Sequence, residues 1–389
     1  MSDPVKPPIY LDYAATTPVD PRVAARMCEM LWANGPHGNP SSASHAFGHQ
    51  ARALVEAARV QVSLPIAARR GEIIFTSGAT ESNNLALFGA ARFLKSKGNH
   101  IVSSRTEHKA VLDPLKQLEK EGFEVTYLKP DVAGIVHPEQ VIEALRRETI
   151  MVSLMHANNE TGIVQDIAAV GSACRGRDIV LHVDAAQSYG KLPIDVAAMH
   201  IDLLSLTAHK IYGPKGIGAL YVRAQPPLGL QPIMYGGGQE RGLRPGTLPT
   251  HQIVGLGAAC ELAAAEREVE VSRIATLRNK LWQGLIALGG VELNGHPTQC
   301  VAGILNVAFH GIEGESLQFA LRELAVSAGA ACSSASDEAS YVLRALGRSE
   351  QLAQSSLRFS LGRFTTEAEI EFALGVLQRE LPRLRALVP

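Results

Sequence analysis

Three polar residues of this chain stand where short apolar runs end, and each has a use in chemistry. Lys210 closes Thr207-Ala208-His209-Lys210, directly after the run DLLSL at 202–206. A lysine against a buried strand end has two natural uses: a salt bridge to a carboxylate, or a covalent imine to a carbonyl cofactor. Asp184 follows the run IVLHV at 179–183 and is separated from Lys210 by enough chain for one helical crossover and one strand. A carboxylate at that edge needs a compensating partner, because ionisation in a low-dielectric site is costly. It also reads as a simple helix cap. Thr80 follows Gly78-Ala79 where the run EIIF at 72–75 gives way to a helical pattern. A helix start with free N–H groups and a hydroxyl is a seat for phosphate, and equally an ordinary N-cap.

A phosphate seat, a carboxylate and a lysine in that order fit pyridoxal phosphate. That cofactor offers a phosphate, a ring nitrogen to be kept protonated, and an aldehyde for lysine. The other glycine-rich stretches are weaker signals. GPKGIG at 213–218 matches neither the dinucleotide fingerprint nor the P-loop, and YGGGQERGLRPGT at 235–247 reads as a surface loop with arginine and hydroxyl donors. Cys332 stands among Ala328, Gly329, Ala330, Ala331, Ser333, Ser334, Ala335 and Ser336, which are too small to pack a core. That context suits a nucleophile on a surface loop, or a spare thiol. Cys28, Cys174 and Cys260 fall in helical patterns and read as inert, and Cys300 in a loop with no assigned role. His156, His182 and His251 read as structural.

The elements that must position these residues alternate along the chain. Strand patterns at 72–75, 101–102, 123–128, 149–155, 179–183, 202–206 and 218–222 are interleaved with helical ones, such as 80–93 and a segment opened by Pro138. Such alternation predicts an α/β fold with a mostly parallel sheet covered by helices on both faces. A long helix is expected over 261–288, with Ile274, Leu277, Leu281, Leu285 and Leu288 on one stripe. Beyond it, strand patterns at 303–309, 324–327 and 357–361 sit between helices. The expected division is a large cofactor-binding domain at 16–261, and a smaller α+β domain formed by 1–15 with 262–389.

Composition removes other classes of function. The 389 residues are 46% hydrophobic and 19% charged, with Lys+Arg 37 against Asp+Glu 38 and a net charge of −1. A neutral chain lacks the basic face that nucleic-acid phosphates demand. No run reaches the roughly 20 apolar residues of a membrane span, and the start MSDPVKPPIY has no apolar core of a secretory signal. Five scattered cysteines with no C-x-x-C pair argue against a disulfide framework or a structural zinc, so the cytoplasm is expected.

Several segments together resemble a known family. They are DYAATTPVDPRV (12–23), GNPSS (38–42), FTSGATESNNLA (75–86), TEHKAVLD (106–113), NNETG (158–162), HVDAAQSYGKLPID (182–195), HKIYGPKGIGALYVR (209–223), GTLPTHQIVG (246–255) and SSLRFSLGRFTTEAE (355–369). They are similar to the cysteine desulfurases of the IscS/NifS group, class-V aminotransferases of fold type I with a seven-stranded-type sheet, and most to the housekeeping IscS branch. The resemblance implies pyridoxal 5'-phosphate bound as an imine to Lys210. It places Asp184 on the ring nitrogen, Gln187 and Asn159 by the ring oxygen, and His108 stacked on the ring. Ala79, Thr80, Thr207, Ala208 and His209 would hold the phosphate, with Thr247 reaching in from the other subunit of a homodimer. Asn159 and Arg358 would receive the carboxylate of L-cysteine, and Cys332 would take its sulfur. The sulfur would pass to an IscU-like iron–sulfur scaffold and to other acceptors, including those for tRNA thiolation. Selenocysteine lyase, or an idle sulfur-relay subunit, are the alternatives. Two positions depart from the family pattern: Thr207-Ala208 stands for Ser-Gly, and Pro245 for a Ser. Family members also continue with a tail that helps dock the scaffold, so weaker docking is expected of a chain ending at Pro389.

Overall fold

The structure is a computed structural model, and residues 5–328 and 339–387 are described. The chain enters through a two-residue strand, β1 (Ile9–Tyr10), then builds a large sheet. Its strands are β2 (Ile73–Thr76), β3 (His100–Ser104), β4 (Glu124–Leu128), β5 (Thr149–Met155), β6 (Val180–Asp184), β7 (Leu203–Thr207) and β8 (Gly218–Val222). The spatial order is β2-β8-β7-β6-β5-β3-β4. The pairs from β4 through β7 are parallel, and β8 runs antiparallel to both β7 and β2. The α/β expectation is met. The middle strands β5, β6 and β7 are buried along their whole length, because helices cover both faces.

A second sheet follows, made of β9 (Val291–Leu293), β10 (Ile304–Phe309), β12 (Ser327–Ala328) and β13 (Ser356–Ser360) in the order β12-β13-β10-β9, while β11 (Leu324–Ala325) pairs with β1. The expected strand at 324–327 is thus two short strands serving two different partners. The helix expected over 261–288 begins earlier and runs unbroken as Thr250–Leu288. Its first part buries Ile253, Leu256 and Cys260 in the core under the large sheet. Its later part buries Ile274, Leu277, Leu281 and Leu285 in a separate core with Leu305, Phe359 and Leu377. One rigid element therefore belongs to both cores. Ile9 and Leu11 pack in the second core, so the chain's first segment belongs with the residues that follow the large sheet.

Candidate active site

Parallel strands end on one side, and ligands collect there. Met155, Asp184 and Thr207 are the last residues of β5, β6 and β7, and all three line one cleft of about 670 Å³. The cleft is of the size that holds a small cofactor together with a substrate. Two glycines shape one wall. Gly78, at φ +151 and ψ −179, occupies a conformation open in practice only to glycine, and it caps the helix Ala79–Leu94. A Cβ on Gly218 would lie 2.4 Å from the Leu206 carbonyl oxygen and 2.7 Å from Gly78 Cα. Gly218 therefore lets β8 approach the turn that opens this helix. The result is a sixteen-residue helix aiming its free N–H groups at the cleft beside Thr80, Thr207 and His209.

Asp184 is 4% exposed. Its Oδ2 accepts from Asn83 Nδ2 at 2.7 Å and its Oδ1 from the Ala186 N–H at 2.9 Å. Both oxygens are thus oriented before any ligand arrives. Lys210, half-buried, donates from Nζ to the carbonyls of Ala14 and, at 2.7 Å, Ala15. Gln187 is fixed at both ends: Nε2 donates to the Ala14 carbonyl at 2.8 Å, and Oε1 accepts from Lys191 Nζ at 3.1 Å. His108 is the N-cap of the helix Lys109–Lys120, and its Nδ1 accepts from the Ala110 N–H at 3.0 Å. A neutral ring in that bond carries its proton on Nε2. His209 sits 3.2 Å from Thr16 Oγ1. Burial, helped by Lys210 and Lys215, lowers it to about 4, so its ring is neutral at pH 7.

The far wall carries Asn159 and Arg358. Arg358 is 3% exposed and donates from Nη1 to the Asn159 carbonyl at 2.8 Å and from Nη2 to Asp12 Oδ1 at 2.6 Å. Its Nε and the Asn159 Oδ1 are buried and have no hydrogen-bond partner among the described residues. A guanidinium lining one wall of a cleft beside an amide side chain suits the carboxylate of an amino acid.

The expected residues Thr80, His108, Asn159, Asp184, Gln187, Thr207, His209, Lys210 and Arg358 thus share one cleft with Ala79. Ala208 and Thr247 do not line it. Ala208 is fully buried, with its N–H on the Ile217 carbonyl, because the chain turns into a helical turn there. Thr247 is exposed on its own chain. Cys332 lies outside the described residues. His182 is fully buried between Ser153 and Ser205 and lowered by burial to about 3, a structural role as expected. Burial raises the Cys174 and Cys260 thiols to about 12, so both are inert. Cys28 is exposed at the end of its helix.

Sequence reasoning missed the residues that hold these groups. Asn83 orients Asp184, and Ala14 and Ala15 hold Lys210 through backbone atoms that no side-chain pattern reveals. Glu107, fully buried behind the site, is raised well above the carboxylate range by burial. Glu160 lines the cleft, accepts from Ser340 Oγ at 2.5 Å, and is pushed up by burial to about 7. Its neighbour Asn159 is in the same NNETG motif, which was the available signal.

The chain is similar to known proteins along nearly its whole length. The family model for class-V aminotransferases matches residues 9–372. A cysteine desulfurase IscS of Klebsiella pneumoniae subsp. pneumoniae is 57% identical over 385 residues, which cover 99% of this chain and 95% of that protein. A cysteine desulfurase IscS of Salmonella schwarzengrund is 57% identical with the same coverage. Among solved structures, a NifS-like protein superposes with a TM-score of 0.90 at 35% identity, over 97% of this chain and 100% of that one. SspA in complex with cysteine gives a TM-score of 0.82 at 40% identity, over 92% and 100%. The chain belongs to the class-V aminotransferase family, within its group of IscS-type cysteine desulfurases.

Proposed function

We propose that this protein is a cysteine desulfurase that uses pyridoxal 5'-phosphate. It converts L-cysteine to L-alanine and leaves the sulfur on Cys332 as a persulfide. The observation that carries the reading is the convergence of Lys210, Asp184, His108 and Arg358 on one cleft at the ends of β5, β6 and β7. The donor set fits the cofactor. The helix start at Ala79 with Thr80, Thr207 and His209 suits its phosphate, and the oriented, buried Asp184 carboxylate suits a protonated ring nitrogen. Lys210 is within the same cleft for its aldehyde. When bound, the cofactor supplies an electron sink for the substrate's α-carbon.

The chain's own groups do the rest. Arg358 holds the substrate carboxylate with the aid of Asn159 and so fixes the amino acid's orientation. The Lys210 amine is the base for the α-proton. His108, its Nδ1 engaged by the Ala110 N–H, keeps an Nε2 proton to donate or return. Asp184, its two oxygens held by Asn83 and the Ala186 N–H, is fixed where it would pair with a positive ring nitrogen. The Cys332 thiolate attacks the substrate sulfur. A new S–S bond forms, the substrate C–S bond breaks with its electron pair staying on carbon, and that carbon takes a proton to become the methyl group of alanine. The persulfide then passes to acceptors for iron–sulfur clusters and tRNA thiolation, and Thr247 completes the phosphate site across a homodimer. Incubation with L-cysteine and a dithiol should release alanine and sulfide in equal amounts. Lys210→Ala should abolish both and remove the lysine-linked visible absorbance. Retention of a reducible lysine-bound chromophore in that variant would move the anchor to Lys191 or Lys215.

A further inference from the structure

Arg358 and Asp12 come from opposite ends of the chain, yet they form an ion pair, with Arg358 buried and lining the cleft and Asp12 partly buried beside it. Backbone pairing brings them together. Asp12 bridges in parallel to Ser360, and the Ser360 N–H donates to the Leu11 carbonyl at 2.7 Å. Ser360 and Arg358 lie two apart on β13 and so share a face. The Asp12 backbone is held again from the other side, where Tyr10 Oη donates to the carbonyls of Asp12 at 3.1 Å and Thr16 at 2.8 Å. Asp12 Oδ1 then accepts from Arg358 Nη2 at 2.6 Å, and the Asn159 carbonyl accepts from Nη1 at 2.8 Å. Two of the three guanidinium nitrogens are thereby engaged. The third, Nε, is buried and has no hydrogen-bond partner among the described residues.

We propose that Asp12 is a positioning residue for substrate recognition: with the Asn159 carbonyl it locks the plane of the Arg358 guanidinium, which stays fixed for the incoming carboxylate. The proposal rests on the reading that Arg358 receives that carboxylate. An arginine side chain has several rotatable bonds, and bidentate recognition of a carboxylate needs its plane held in one orientation. One acceptor would leave the plane free to pivot, and two acceptors on different nitrogens stop it. The cost is a negative charge next to the site of another. A role as mere charge balance would therefore have the opposite sign: removing Asp12 would then tighten carboxylate binding, because a repulsion is lost. The positioning role requires removal to weaken it.

The test uses the protein as purified with its cofactor and 3-mercaptopropionate, which has the substrate's thiol and carboxylate but no amine to react with an aldehyde. Its neutral counterpart, 3-mercaptopropionamide, reports contacts other than the carboxylate. Calorimetric titration should show Asp12→Ala weakening the acid about tenfold, the order expected for loss of one charge-assisted contact, with the amide unchanged. Asp12→Asn keeps an oxygen acceptor in place and should stay within about threefold of the wild type. Asp12→Glu, which displaces the acceptor by a methylene, should weaken the acid while leaving the amide alone. If Asp12→Ala does not fold, the Asn and Glu variants decide: equal wild-type affinity in both overturns the proposal. Tighter binding of the acid by Asp12→Ala, or parallel losses for acid and amide, overturns it as well. Arg358→Ala separates the underlying reading. If it leaves the acid's affinity unchanged, Arg358 is not the carboxylate receptor and both ideas fall. If it weakens the acid while Asp12→Ala does not, only the role of Asp12 falls.

Discussion

Glu160 and Cys332 are the two side chains whose chemistry is most open to measurement. Glu160 is held in its folded site with a pKa raised by burial to about 7, against 4.5 for the free group. Ser340 Oγ at 2.5 Å, Arg358, His108 and Lys109 oppose the shift and do not cancel it. The folded protein thus binds this proton more tightly than the unfolded chain does. Its contribution to stability is fully present below pH 4.5 and is lost as pH rises through about 7, a change on the order of 3 kcal/mol. Glu160→Gln should flatten the fall in urea-unfolding free energy over that window, and an unchanged slope would assign the pH dependence to another group. Cys332→Ser should leave cofactor content and the spectral response to L-cysteine intact, since Lys210 and Asp184 are untouched. It should form no persulfide, because a hydroxyl at neutral pH is a far poorer nucleophile than a thiolate. Mass spectrometry after brief exposure to L-cysteine reads this directly. A persulfide on Cys28 or Cys300 with turnover retained would reassign the nucleophile.

At the level of elements, the site depends on close approach between β8 and the turn before the helix Ala79–Leu94. Gly218→Ala would place a Cβ 2.4 Å from the Leu206 carbonyl oxygen and 2.7 Å from Gly78 Cα. Both contacts are with backbone, so β8 or the turn must move. The expected outcome is at least a tenfold loss of pyridoxal phosphate affinity with the fold retained, read by fluorescence titration of the cofactor-free protein and by circular dichroism. Unchanged affinity would mean that the helix start does not hold the phosphate. A second fixture holds β2, the strand that leads into that turn. Glu240 and Arg241 are in consecutive left-handed conformations, at φ 46 and φ 60, which side chains seldom adopt. Glu240 is kept there by Arg59, with two bonds of 2.7 Å, and by the Phe75 N–H at 2.7 Å. Arg59→Ala would leave Glu240 buried without its cation. A cost of about 3–5 kcal/mol is expected in urea unfolding, and a change below ~1 kcal/mol would show that the pair is dispensable.

On the scale of the whole molecule, one helix, Thr250–Leu288, contributes to both cores, and an ion cluster joins the segments around them. Asp20 is held by Arg22 and Arg363 at 2.8 Å each, and Arg363 also reaches Glu270 at 2.8 Å. Those bonds hold the Asp20 carboxyl well below the usual range. Several large apolar side chains remain uncovered, among them Trp32 at 64% and Tyr235 at 83% exposed. Tyr235 opens the loop that ends at Thr247, a residue exposed on its own chain. The proposed homodimer would cover this loop and bring Thr247 to the other subunit's phosphate site. Sedimentation should give a two-chain mass, and a fully active monomer would sink the proposal. Among the described residues no helix is long and apolar enough to cross a membrane, and no cluster of His, Cys, Asp and Glu is arranged to hold a metal.

The sequence by itself determined the strand–helix alternation and the placement of Asp184, Thr207 and Lys210 at strand ends. Both follow from local periodicity and from the rule that parallel strands end on one side. It also marked Arg358 and His108, through motifs that carry a family resemblance. The tertiary structure decided what holds those groups. Asn83 on Asp184, the Ala14 and Ala15 carbonyls on Lys210, and Asp12 on Arg358 are contacts between residues about a hundred to several hundred positions apart. Two of these acceptors are backbone atoms, which every residue has, so no residue type announces them. The helix Thr250–Leu288 makes the same point at larger scale. Its stripe of leucines is legible, but which part serves which core depends on where β10 and β13 return, and that is settled only when the chain has closed on itself.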